Sequence, residues 1–191
     1  TRRSSDLYFG KARPQTIPCD SSIQTEDLSA SLNSADAYAF RSVVGTVLYL
    51  ARDRPDLLFT VKELSSSMSN PTLTAVARLR KLVGYLKTTS EFCMMLEMPV
   101  GGQGKLKTTE KHWILESYSD SDWSGHQAHR RSTSCGLHML NGSFVYASSR
   151  TQRVVSLSSC EAELHSMVSC LCNGIYLKRC IQFVMNCQVE H

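Results

Sequence analysis

Residues 135–175 read CGLHMLNGSFVYASSRTQRVVSLSSCEAELHSMVSCLCNGI, and two signals inside this stretch decide the fold. Asn141-Gly142 lies between two strand-like runs, Cys135–Leu140 and Phe144–Ser149. Residues that tolerate positive φ close a two-residue hairpin at least cost, so this pair predicts a hairpin. Ser158-Ser-Cys-Glu161 then has the S-x-x-E spacing of a capping box, where a serine and a glutamate satisfy the free N–H groups that open a helix. Leu164, Met167, Val168, Leu171 and Ile175 follow at helical period, with Leu164 suited to a core-facing position.

Upstream, Ile114–Asp120 reads as one more strand, so the order is strand, strand, strand, helix. The fold class is α/β, with an antiparallel meander and a helix packed across it. The Gly-rich segment GGQGKLKTTEKH, residues 101–112, reads as a loop, Phe92–Met98 as a strand, and a boundary is expected near residue 107. Residues 34–107 look helical. The first helix begins at Ser34 with Asp36 in its first turn, carries Ala37, Phe40, Val44, Val47, Leu48 and Ala51, and ends before Arg54-Pro55. The second starts at Pro55 and carries Leu58, Val61, Leu64 and Met68. The third follows Asn70-Pro71, with Val76, Leu79, Val83 and Leu86 on one stripe and Arg78, Arg80, Lys81 and Lys87 on the other faces. This stretch has no cluster of carboxylates, histidines or nucleophiles, so it reads as a packing unit and not as an active centre. Residues 1–33, polar and without apolar period, read as a linker or extended tail.

Composition narrows the class. The chain has 191 residues, 42% of them apolar, enough to bury a core. No run of 18 apolar residues occurs and no apolar stretch follows the basic N-terminus, so neither a membrane span nor a secretory signal is expected, and the compartment expected is intracellular. The eight cysteines show no repeating pair spacing, which favours reduced thiols over a disulfide framework or a zinc site.

Three groups could carry chemistry: Asp120 and Asp122 at a strand's end, Glu161 and Glu163 in the first turn of the helix, and Arg130, Arg131, Arg150 and Arg153 on either side of the hairpin. Two-metal phosphodiester hydrolysis needs carboxylates converging on hard divalent cations, and a strand-end aspartate facing a helix-start glutamate supplies two. Spacing alone favours a plainer account, with Glu161 as a cap and the aspartates as solvated turn residues. The arginines suit phosphate contacts or a solvated sheet edge equally.

Six strings alter that balance: Phe40–Ala51 (FRSVVGTVLYLA), Arg54–Phe59 (RPDLLF), Tyr85–Lys87, Tyr118–Gly125 (YSDSDWSG), Arg130–Ser134 (RRSTS) and Val155–Glu163 (VSLSSCEAE). In this order they resemble the copia-type reverse transcriptase and ribonuclease H region of retrotransposon Pol polyproteins, over most of residues 37–165. The resemblance implies a helical connection region over 34–107 and a truncated ribonuclease H-like fold over 108–191. It implies cleavage of RNA in RNA–DNA hybrids with two Mg²⁺ or Mn²⁺ ions, a partner in the remainder of the Pol polyprotein, and a cytoplasmic particle or the nucleus as location. The family's first catalytic Asp matches Asp120 and its helix Glu matches Glu163, the two expected metal ligands. Ser158 and Glu161 then cap the helix, and Asp122 takes a turn or supporting position. The family's later catalytic acids have no counterpart, since Glu190 is the one acid after Glu163. The expectation is a half-site that holds Mg²⁺ weakly and does not cleave alone. The alternative is a non-catalytic nucleic-acid-binding remnant.

Overall fold

The computed structural model describes residues 12–94 and 113–191. Residues 92–94 take no strand conformation. The rest of the predicted Phe92–Met98 strand, the Gly-rich loop, the boundary near residue 107 and residues 1–11 of the predicted tail lie outside the described residues. The described residues contain four α-helices and a four-stranded mixed sheet, divided between two compact units. No described helix is long and apolar enough to cross a membrane.

The first unit holds α1 (Ser34–Leu50), α2 (Leu58–Ser66) and α3 (Leu73–Thr88). Each start has a local cause. The Asn33 side chain accepts from the Asp36 N–H at 2.9 Å, and Thr72 Oγ1 accepts from the Ala75 N–H at 3.2 Å. Pro55 opens a 3-10 turn, Pro55–Leu57, and α2 begins one turn later than the sequence suggests. Phe40, Leu57, Leu79, Leu82 and Val83 are fully buried in the core between the helices. Leu48, on the predicted stripe, stays exposed. The Arg54 guanidinium grips both Asp56 oxygens, at 2.9 and 2.8 Å, and donates to Thr89 O and Oγ1 at the end of α3. The RPDL string is thus a clamp between two helices.

Residues 12–33 carry no regular element beyond a 3-10 turn at Ser21–Gln24, as their composition suggests, but they are not a free tail. Ile23 is buried, Asp20 pairs with Lys81, the Leu32 N–H donates to Pro71 O at 2.8 Å, and Arg78 donates to Thr25 O. These are single anchors without period, which pattern reading does not detect.

The second unit is built on β1 (Trp113–Asp122), β2 (Thr133–Leu140), β3 (Ser143–Thr151), α4 (Ser159–Met185) and β4 (Val189–Glu190), in sheet order β3-β2-β1-β4. The first three pair antiparallel, as predicted. Asn141 and Gly142, at φ 48° and 79°, form the hairpin turn. The two-residue β4, too short to show a period, pairs parallel with Trp113 and Ile114. A parallel neighbour needs a crossover, which α4 provides before ending at Asn186 in the left-handed region.

The buried face of α4 differs from the predicted one. Ala162, Ser166, Cys170 and Gly174, four residues apart, face the sheet, whereas Leu164, Met167, Val168, Leu171 and Ile175 are 46–58% exposed. Under Ser166–Gly174 the floor is Ser117, Gly136 and His138, small or polar surface on which small helix side chains let the backbones approach, and Leu115 is the buried apolar residue next along the same face of β1. A Cβ on Gly136 would already lie 3.5 Å from Cys170 Sγ.

Candidate active site at the end of the first strand

Ser166 Oγ donates to Asp120 O at 2.6 Å and reaches Cys135 O at 3.2 Å. One turn on, Cys170 Sγ donates to Tyr118 O at 3.2 Å, and Gly174 lies against Ser117. Successive turns of α4 therefore step backward along β1, and the first turn of the helix sits over the strand's C-terminal end. Asp120 and Glu163 are at the same end of this unit.

The two carboxylates are not brought onto one ion. Ser117 bonds His138 on the face that α4 covers, and side chains alternate along a strand, so Glu116, Tyr118, Asp120 and Asp122 point to the opposite face. The pairing agrees: Asp120 sits opposite Cys135, whose thiol is pushed up by burial first and by the nearby Asp120 second. Asp120 and Asp122 are exposed and Glu163 is half-buried. Among the described residues no group of three or more His, Cys, Asp or Glu is placed to hold a metal ion. Mg²⁺ demands near-ideal octahedral oxygen geometry, which two carboxylates alone do not supply. The described residues thus do not make a magnesium site by themselves.

The helix start is well defined. Ser158 Oγ accepts from the Glu161 N–H at 3.2 Å, and the Glu161 carboxylate reaches back to the Leu157 N–H at 2.7 Å, one residue before the cap. The carboxylate also approaches His165 Nε2 at 3.8 Å. Gln152 reinforces the junction. Its Nε2 donates to Ala162 O and Ser134 Oγ, both at 2.9 Å, and its Oε1 accepts from Ser156 Oγ at 2.8 Å. Trp123 Nε1 donates to Ser156 O at 3.1 Å, tying the turn after β1 to the same loop.

Sequence reading missed Gln152 and Ser166. Nothing in the sequence marks Gln152. Ser166 had a signal, the series of small residues at 162, 166, 170 and 174, outweighed by the more apolar stripe beside it. Beneath the helix, fully buried His138 links Ser117 and Cys170: Ser117 Oγ lies 2.8 Å from its Nδ1 and 2.7 Å from His191 Nε2, and Cys170 Sγ lies 3.8 Å from its Nε2. Cys170 is also the one buried cysteine among eight free thiols.

The four arginines separate. Arg130, at φ 53°, and Arg131 are exposed in the turn before β2. Arg150 and Arg153 line a cleft between α4 and the β2–β3 pair that neither Asp120 nor Glu163 borders.

Over 139 residues the chain is 36% identical to the secreted RxLR effector protein 161 of Plasmopara viticola, covering 72% of this chain and 90% of that protein. The chain belongs to one family with that effector. Its homologues also include retrovirus-related Pol polyproteins: that of transposon RE1 of Arabidopsis thaliana, 31% identical over 83% of this chain, and that of transposon TNT 1-94 of Nicotiana tabacum, 28% identical over 75%. The chain spans about 10% of the length of each of these polyproteins. No family model matches the chain, and no solved structure does.

Proposed function

We propose that this retroelement-derived chain carries a partial ribonuclease H-like domain, its meander and α4 supplying half of a hybrid-cleaving site, with the helices of the first unit as the connection region of a reverse transcriptase. Asp120 and Glu163, at the same end of the unit but not brought onto one ion by the described residues, are the family-matched carboxylates of that half-site, Ser158 and Glu161 fix the helix start, and Asp122 supports the turn. The observation that carries the reading is the bond from Ser166 to Asp120 O, which fastens the first turns of the acidic helix over the end of the acidic strand. The site is inactive alone. Mg²⁺ or Mn²⁺, in supplying charge stabilisation to phosphodiester hydrolysis, would need carboxylates beyond the described residues.

The test is a cleavage assay on a labelled RNA–DNA hybrid with Mg²⁺, using the chain alone and the chain extended by the segment that follows the matched region in the RE1 polyprotein. No cleavage by the chain alone is expected. Cleavage should appear in the extended chain and be abolished by Asp120→Asn and by Glu163→Gln. Cleavage that survives both substitutions would refute the assignment.

One observation favours a second reading. A family member of which this chain covers 90% is a protein in its own right, so the unit has a use without the rest of a polyprotein. In that reading the chain binds nucleic acid through its arginines without cutting it. Salt-dependent hybrid binding, with no cleavage by either form, would support it.

A further inference from the structure

The cleft between α4 and the β2–β3 pair has a volume of about 490 Å³; it shares Ser166 and Cys135 with the carboxylate end of the unit, but neither Asp120 nor Glu163 lines it. Arg150 sits opposite Ser134 on β2, and so on the sheet face that α4 covers. Arg153 follows β3 on the same border, and His165 closes the cleft from the helix. Among the described residues no carboxylate lines it. Glu161 touches His165 from outside, at 3.8 Å. Arg150 reaches the Tyr146 hydroxyl only at 3.5 Å, a weak contact for a guanidinium.

Two guanidiniums bordering one hollow repel one another unless an anion lies between them, and His165 adds a ring nitrogen that can hydrogen-bond such an anion. The hollow offers neutral hydrogen-bonding hydroxyls as well, on Ser148 and Ser169, and an apolar wall in Val154 and Val168. Its volume falls in the range of small-molecule sites, and no duplex fits inside. We propose that this cleft binds a small phosphate ester of mononucleotide size, the phosphoryl group held by Arg150 and Arg153 with His165 beside it and the organic part against the valines. The assignment does not depend on the nuclease reading, since a chain with no cleavage chemistry would retain the cleft.

Calorimetric titration of the full chain with adenosine monophosphate, inorganic phosphate and adenosine tests it. Saturable binding is expected for the monophosphate, weaker binding for phosphate, and none for adenosine. Arg150→Gln and Arg153→Gln should each weaken monophosphate binding about 10-fold, the loss of one charge-assisted contact. Arg150→Lys should fall in between, because it keeps the charge and loses the fork. Arg179→Gln, at an exposed position of α4 outside the cleft, should change nothing. Circular dichroism of each variant separates lost binding from lost folding, and two-dimensional NMR with the monophosphate should shift the amides of residues 150–153 and 165–169 even where heats are small. Absence of saturation by both phosphate-bearing probes, equal weakening by Arg179→Gln, or shifts elsewhere in the chain would overturn the proposal.

Discussion

Replacing Gln152 with alanine should undo the joint between the sheet and α4. The side chain is 8% exposed and makes three hydrogen bonds, to Ala162 O, Ser134 Oγ and Ser156 Oγ, at 2.8–2.9 Å. A typical internal hydrogen bond contributes about 1 kcal/mol net. Two of these partners retain other options: Ala162 O lies in a helix where backbone N–H groups also bond it, and Ser134 is only partly buried. Ser156, 4% exposed, is left with an unsatisfied hydroxyl, which costs about 1–3 kcal/mol. The expected loss is about 3 kcal/mol for the second unit, or roughly 1.5 M in urea midpoint at a slope of about 2 kcal/mol/M. Both tryptophans, Trp113 and Trp123, belong to this unit, so their fluorescence reports on it alone. A midpoint shift below about 0.5 M would refute the reasoning, because Gln152 would then be a bystander.

Further outcomes follow from other anchors. Burial first, and His191 second, hold the fully buried His138 below the ordinary histidine range. Its folded form is therefore neutral, its contribution to stability is present above about pH 6.5, and that contribution is lost as the pH falls below this value and protons favour the unfolded chain. Tryptophan-monitored urea midpoints at pH 7.5 and 5.5 should differ in the parent chain and converge in His138→Gln. Ser158→Ala should cost about 1 kcal/mol by removing the cap of α4, measured in the same melts. Arg54→Met should cost about 3 kcal/mol in the first unit, since it leaves Asp56 and the end of α3 without their shared donor, and far-UV circular dichroism would show α1–α3 melting early.

Where order is written in local chemistry, the sequence was a good guide. Pro55, Pro71 and the apolar spacing placed α1–α3 within a turn, Asn141-Gly142 placed the hairpin, and Ser158 with Glu161 placed the start of α4. It failed where the deciding partner is distant in the chain. Which stripe of α4 is buried depends on what the sheet offers, and Ser117, Gly136 and His138 offer no apolar floor. The strand β4 depends on a free edge of β1, and the tie of residues 12–33 rests on isolated contacts with α3. At the candidate site, the caps and the common end of β1 and α4 were legible. That Asp120 points away from the helix follows from strand alternation counted from Ser117, whose orientation only the contact with His138 reveals.

The bed of small side chains under α4 has a thermal consequence. A helix held by serine and cysteine contacts to strand carbonyls, with Leu164, Val168 and Leu171 already about half exposed, exposes less new hydrocarbon when it lifts away than a helix seated on its apolar stripe. Heat-capacity change tracks newly wetted apolar area, so the unfolding of the second unit should carry a small one for its size. The curvature of its stability with temperature should therefore be low, and calorimetry should record a small heat-capacity step across the transition.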